Sequence, residues 1–196
     1  MGSVGTYCPS MKRPALMVID LQKGLDDPSL GKRSNPGAES NIALLLAEWR
    51  KRDFPVIHVK HNSVEPESLL RPELPGNAVK EEAKPLPDEK QFHKTVNSAF
   101  IGTGLAEYLK DQGINSLVMV GLTTDHCVSA SARMAGDLGF DVTVVSDATA
   151  AHGRKGFDGV EYSGEEIHKI SLVSLDGEFC TVQSTEEILK VIRTST

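Results

Sequence analysis

The stretch Ser116-Leu117-Val118-Met119-Val120-Gly121-Leu122-Thr123-Thr124-Asp125-His126-Cys127-Val128 runs from a continuous apolar segment, through a short polar turn, into a small-residue pattern of helical spacing. An apolar run without alternation is what a parallel strand buried on both faces shows, so the stretch reads as strand, turn and helix start. Three further apolar runs rich in β-branched residues occupy 15–19, 55–59 and 142–145. Between them, 41–52 (Ile42, Leu45, Leu46, Trp49) and 104–112 (Leu105, Tyr108, Leu109) space apolar residues three or four apart, as one face of a helix does. Repetition of strand and helix gives βαβ units. The expected fold is therefore α/β, a three-layer α/β/α sandwich around a mostly parallel, Rossmann-like sheet of about six strands.

The remainder of the chain fits the same scheme. Ser163-Gly164-Glu165-Glu166 starts a helix within 162–175, and 178–182 reads as a last strand in which Cys180 packs. Ser184 with Glu187 three residues on forms a capping-box pattern. Residues 62–91 differ in kind, with five prolines and seven acidic residues against four basic ones and little periodicity. They read as a long surface loop of the sort that serves as a lid, an interface arm or a mobile segment. One domain is expected at 14–196, preceded by an extension at 1–13. Met1-Gly2-Ser3-Val4-Gly5-Thr6 matches the short N-myristoylation pattern, and Met11 offers an internal start.

Composition narrows the function classes. With 39% hydrophobic and 24% charged residues the chain is of ordinary globular composition, and no apolar run approaches the roughly 20 residues that span a bilayer. A net charge of −6 disfavours sequence-independent binding to nucleic acid, which needs clustered Lys and Arg. The three cysteines, Cys8, Cys127 and Cys180, show no CxxC spacing and are an odd number, which points to a reducing, cytoplasmic setting.

Polar residues at strand ends carry the chemistry, because ligands of open α/β sheets bind outside the carboxyl edge. Asp20 ends the first strand, Cys127 follows the run at 116–120, and Asp147 ends the run at 142–145. Cys127 is either a packed thiol or a nucleophile. As a nucleophile at a helix start it would have its thiolate favoured by unpaired N–H groups and the helix dipole, lowering its pKa below the usual ~8.5. Asp20 is either a turn cap or a general base. Lys94, in Phe92-His93-Lys94-Thr95, is either a solvated charge or the cation that holds a thiolate and a carboxylate together.

Four blocks in order, Ala15-Leu16-Met17-Val18-Ile19-Asp20-Leu21-Gln22, Lys94-Thr95-Val96-Asn97-Ser98-Ala99-Phe100, Val120 through Val128 and Val144-Val145-Ser146-Asp147-Ala148, resemble the isochorismatase-like cysteine hydrolase superfamily, which includes nicotinamidases and N-carbamoylsarcosine amidases. The resemblance implies a catalytic triad of Asp20, Lys94 and Cys127. Backbone amides of Thr123 and Cys127 would form the oxyanion hole, with a cis peptide between Leu122 and Thr123. It implies a pocket lined by Leu25, His61, Phe100 and Asp125, a small-molecule substrate, no organic cofactor, and a homodimer or homotetramer.

Two departures refine this. Metal-binding members carry an Asp-x-His pair and a further His after the second strand, whereas this chain reads His58-Val59-Lys60-His61-Asn62-Ser63, so no metal is expected. His58 reads as a satisfied core residue and His61 as a pocket-mouth residue, while His93 and His126 flank the triad positions. Isochorismate-cleaving members typically lack the cysteine, so Cys127 favours cleavage of a C–N bond in a small amide or ureido-type substrate through a thioester. Isochorismatase-type hydrolysis of an enol ether and a non-catalytic binding protein stand as alternatives. A redox thiol would lack a nearby resolving cysteine in sequence. A dinucleotide site would need a Gly-x-Gly-x-x-Gly turn that Asp20-Leu21-Gln22-Lys23-Gly24-Leu25 does not supply.

Overall fold

Strand β1, Ala15–Ile19, is buried along its whole length, and its alternating side chains feed two separate cores. The computed structural model describes residues 13–194, so the myristoylation pattern, Cys8 and all but the last residue of the 1–13 extension lie outside the described residues. After β1 come α1 (Ala38–Lys51), β2 (Val56–His61), β3 (Lys90–Lys94), α2 (Leu105–Asp111) and β4 (Ser116–Leu122). A π-helical turn, Thr124–Val128, then runs into α3 (Ser129–Asp137), followed by β5 (Asp141–Ala150). A short hairpin of β6 (Arg154–Lys155) and β7 (Glu161–Tyr162) leads to α4 (Gly164–Leu175), β8 (Thr181–Gln183) and α5 (Thr185–Thr194).

The central sheet has the order β3-β2-β1-β4-β5-β8 with every pairing parallel. Ala15, Met17 and Ile19 pack with residues of α2, α3 and α4, among them Leu105, Ala132 and Leu172. Leu16 and Val18 pack with Ile42, Leu45 and Trp49 of α1 and Ile188 and Ile192 of α5. These are the two outer layers of the sandwich. Strand order reverses between β1 and β4, which opens a crevice at their carboxyl ends, the place where such sheets bind ligands.

Both expected caps form. The Ser163 side chain accepts from the Glu166 amide while the Glu166 carboxylate accepts from the Ser163 amide, and Ser184 and Glu187 exchange the same pair of bonds. Cys180 is buried just before β8, and burial pushes its thiol up to about 12. Two readings are corrected. Asp147 does not end a strand at the site: β5 continues to Ala150, and the Asp147 carboxylate accepts from the Thr185 amide and hydroxyl at 2.8 and 2.7 Å, anchoring α5. Residues 62–89 are not a loose surface loop, for Leu70, Asn77, Lys80 and Ala83 are buried. The Lys80 ammonium lies 2.5 Å from both Asp26 Oδ1 and Glu39 Oε1, and Arg33 forks onto Glu39 at 2.6 and 2.7 Å. Among the described residues no helix is long and apolar enough to cross a membrane.

Candidate active site

Four strand ends converge on the crevice. Asp20 follows β1 with φ 48, in the left-handed region that Asp tolerates better than most residues, and so turns off the sheet edge. His61 ends β2 and is paired in register with Lys94 at the end of β3. Cys127 sits in the π-helical turn after β4. Gly121 makes the β1–β4 approach possible: its φ is 121, and a Cβ there would lie 1.9 Å from the Ile19 carbonyl oxygen. The Leu122–Thr123 peptide bond is cis.

The three residues read as a triad come together around the Lys94 ammonium. Lys94 Nζ is 2.6 Å from Asp20 Oδ2, 3.2 Å from Cys127 Sγ, 2.9 Å from His61 Nδ1 and 3.1 Å from the Val96 carbonyl oxygen. Three N–H bonds thus face four acceptors, with Asp20 and Lys94 each 1% exposed and Cys127 8%. The Asp20 contact is an ion pair, and neither carboxylate oxygen has a hydrogen bond of good geometry.

Burial, reinforced by the Asp20 negative charge and opposed by Lys94, pushes the Cys127 thiol up to about 12. This corrects the expectation of a lowered value. A helix start favours thiolate when its N–H groups face the sulfur in a wet or cationic setting; here the sulfur is desolvated and shares its cation with a carboxylate. The Cys127 sulfur has Asn97 Oδ1 at 3.7 Å as a weak acceptor.

His61 belongs to the centre rather than only to the mouth. The Lys94 ammonium, which can only donate, meets the His61 ring at Nδ1. Its backbone is held by Gln22, which accepts from the His61 amide at 2.9 Å and donates to its carbonyl at 3.0 Å, and by Asn77, which donates to the same carbonyl at 3.0 Å. Ligand atoms of Asp20, His61 and Cys127 lie within 4.8 Å of one another. A metal ion at that point would have to displace the Lys94 ammonium, which contacts all three. His58 pairs with Glu89 at 2.8 Å inside the fold, and burial lowers its pKa. His93 is exposed, within 3.4 Å of Asn62 Nδ2.

A cavity of about 440 Å³ opens over Cys127, and Leu25, His61 and Asp125 line it together with Asp20. Phe100 does not. It stacks on Phe140 with ring centroids 5.9 Å apart and packs against the core on the α2–α3 side, so its contribution is to packing. His126, which flanks the triad position, lines the cavity, as do Asn97, His152 and Arg154. Asn97 stood inside the Lys94–Phe100 block, but His152 and Arg154 come from a segment with no periodic pattern.

The isochorismatase domain model matches residues 14–187. The isochorismatase family protein YrdC of Bacillus subtilis is 45% identical over 178 residues, covering 91% of this chain and 95% of that protein. A solved structure from Chromobacterium violaceum, assigned to the hydrolases of the same family, superposes with a TM-score of 0.90 at 44% identity, over 92% of this chain and 94% of that one. A maleamate amidohydrolase of Pseudomonas putida is 27% identical over 199 residues, covering 93% and 88%. The match of nearly the whole chain to the domain model, with close relatives of the same length, shows that this protein belongs to the isochorismatase family of hydrolases.

Proposed function

We propose that the chain is a cysteine-dependent hydrolase that cleaves the C–N bond of a small amide or ureido-type substrate through a thioester. The observation that carries this reading is the buried Lys94 ammonium bridging Asp20 and Cys127 on the wall of the cavity. In the proposed reaction the Cys127 thiol proton passes to Asp20 as sulfur attacks the acyl carbon. The carbonyl oxygen takes up negative charge and is met by the backbone amides of Thr123 and Cys127. Lys94 keeps both the carboxylate and the developing thiolate paired. Collapse breaks the C–N bond, and the proton held by Asp20 goes to the leaving nitrogen. Water then gives a proton back to Asp20 as its oxygen attacks the thioester, and the carboxylic acid leaves with Cys127 restored as thiol. Kinship with an enzyme named for amide hydrolysis supports the bond type.

The test is a screen of small amides and ureides for ammonia release, with intact-mass detection of an acyl adduct and Cys127→Ala alongside. Release that depends on Cys127, with the adduct on the Cys127 peptide, is the expected result. Turnover that survives Cys127→Ala, on amides or on isochorismate, overturns the thioester mechanism.

A further inference from the structure

We infer that His168, a buried imidazole on α4, is a positioning residue that sets the oxyanion hole by holding Thr124 in the turn that carries Cys127; the role rests on the hydrolase reading above. Neither residue lines the cavity, and both are buried, Thr124 completely. His168 Nδ1 lies 2.8 Å from Thr124 Oγ1. A threonine hydroxyl both donates and accepts, so this bond forms with either tautomer of a neutral ring. Burial lowers the His168 pKa, which keeps the ring neutral near pH 7. On the far side of the ring, Nε2 lies 3.2 Å from Asn35 Nδ2, and Asn35 donates to the Ser146 and Thr149 carbonyls at 2.8 and 2.7 Å. Through His168 the nucleophile turn is therefore tied to a fixed part of β5.

Thr124 stands between Thr123 and Cys127, the two residues whose amides would meet the oxyanion. The Thr123 carbonyl accepts from the Val128 and His126 amides at 3.1 and 3.3 Å, so the turn closes on itself. Its Cys127 end is pinned separately. Ser131 Oγ donates to the Cys127 carbonyl at 2.6 Å and accepts from the Ala99 amide at 3.0 Å, which ties that end to the segment carrying Lys94. At the other end the buried side-chain tie is the one from Thr124 to His168. The Asp125–Arg154 ion pair beside it, 2.6 Å long, is half open to water on the arginine side and does not touch the Thr124 hydroxyl. Ser131 thus fixes the nucleophile, and His168 fixes the Thr123 amide relative to it. Oxyanion donors are effective only when aimed in advance at the developing charge, and a displacement of about 1 Å costs on the order of a hundredfold in rate.

The experiment uses Thr124→Val and His168→Leu, which remove the bond, and Thr124→Ser and His168→Asn, which keep a polar partner at each end. Two reactions of Cys127 are compared in every variant. Iodoacetamide alkylation displaces iodide at a methylene carbon and builds no oxyanion. Butyraldehyde adds reversibly: the sulfur bonds to the carbonyl carbon, the thiol proton passes to the oxygen, and that oxygen faces the amides of Thr123 and Cys127. Its binding is read as protection of the Cys127 peptide against iodoacetamide. Thr124→Val and His168→Leu should weaken protection about tenfold or more while alkylation without aldehyde stays within about threefold of wild type, and Thr124→Ser and His168→Asn should restore most of the protection. On any amide found in the screen, the first pair should lose about ten- to a hundredfold in kcat with KM within about threefold. Alkylation and protection falling together, or both unchanged, show a packing role only and overturn the assignment. A loss confined to KM, or absence of aldehyde protection in the wild type, overturns it as well. Protection that follows the Thr124–His168 bond in a protein that hydrolyses none of the amides sustains the positioning role, and then only the hydrolase reading fails. Thermal denaturation confirms folding, and Thr124→Val, which keeps the shape of the side chain, decides the matter if His168→Leu does not fold.

Discussion

Replacing Asp20 by Asn should make Cys127 more reactive toward a simple alkylating agent while making the enzyme worse. The carboxylate and the sulfur lie within 4.8 Å, and the Asp20 charge is second only to burial in holding the thiol protonated. At that separation and an effective dielectric of about 20, one unit charge is worth about 3.5 kcal/mol, or a factor of about 300 in thiolate population. A less basic thiolate is a weaker nucleophile, which takes back about half of that logarithm and leaves a net gain of about twentyfold. Lys94, released from the carboxylate, remains 3.2 Å from the sulfur to stabilise the thiolate. Turnover moves the other way, by about 10²- to 10⁴-fold, because no group remains to carry the proton to the leaving nitrogen. The assay is peptide-resolved iodoacetamide alkylation between pH 6 and 9, alongside hydrolysis of any amide found in the screen, with thermal denaturation to confirm folding. Slower or unchanged alkylation of Cys127 would refute the charge argument, and retained turnover would refute the assignment of the base.

Gly121→Ala should abolish soluble expression or lower the melting temperature steeply, since its Cβ would fall 1.9 Å from the Ile19 carbonyl oxygen at a φ that alanine does not accept; a thermal melt near wild type counts against this. Gln22→Leu should destabilise by about 2–3 kcal/mol, by leaving the His61 backbone groups short of partners, and should lower amide turnover with it. Urea titration and steady-state kinetics check both effects. Burial pushes Glu39 up, but Arg33 and Lys80 hold it down at about 2. Its folded value is depressed, so its contribution, up to about 3 kcal/mol, is complete above the ordinary carboxylate range and is lost as pH falls from about 4.5 toward 2. Urea midpoints at pH 7, 4 and 3 should drop accordingly, and Glu39→Gln should flatten that drop. Cys180 should alkylate slowly in both wild type and Asp20→Asn, because burial and not Asp20 keeps it protonated.

The strands at 15–19 and 116–120 were legible because a buried parallel strand leaves a continuous apolar signature, and Asp20 and Cys127 could be placed because they follow it; β4 runs two residues further, to Leu122. Ends were less legible. β5 runs on past Ser146 and Asp147 because its partner strand and the cap of α5 demand it, and neither is visible as local periodicity. The 62–89 segment looked loose since its order comes from partners outside it: Lys80 with Asp26 and Glu39, Asn77 with Gln22 and His61. Arg154 was missed for the same reason, being brought to the cavity by backbone bonds to 32–34. The thiol's pKa was misread from position in a helix alone, since the sign depends on burial and on a carboxylate over a hundred residues away in sequence.

A thiol at about 12 is compatible with nucleophilic catalysis because of what that value measures. It gives the cost of sending the proton into water and leaving a buried site with one more negative charge, two carboxylate-like centres against one ammonium. The proposed reaction does something cheaper. Passing the proton from Cys127 to Asp20 turns a thiol and a carboxylate into a thiolate and a carboxylic acid, while Lys94 stays charged and in contact with both positions. The net charge of the buried site is unchanged, so the large desolvation penalty for adding charge does not arise. The lysine's place between the two groups is what makes this internal transfer accessible. In the proposed reaction the resting sulfur is slow toward adventitious electrophiles, because the second stabilisation, at the oxyanion, would come only from an acyl group held against the amides of Thr123 and Cys127.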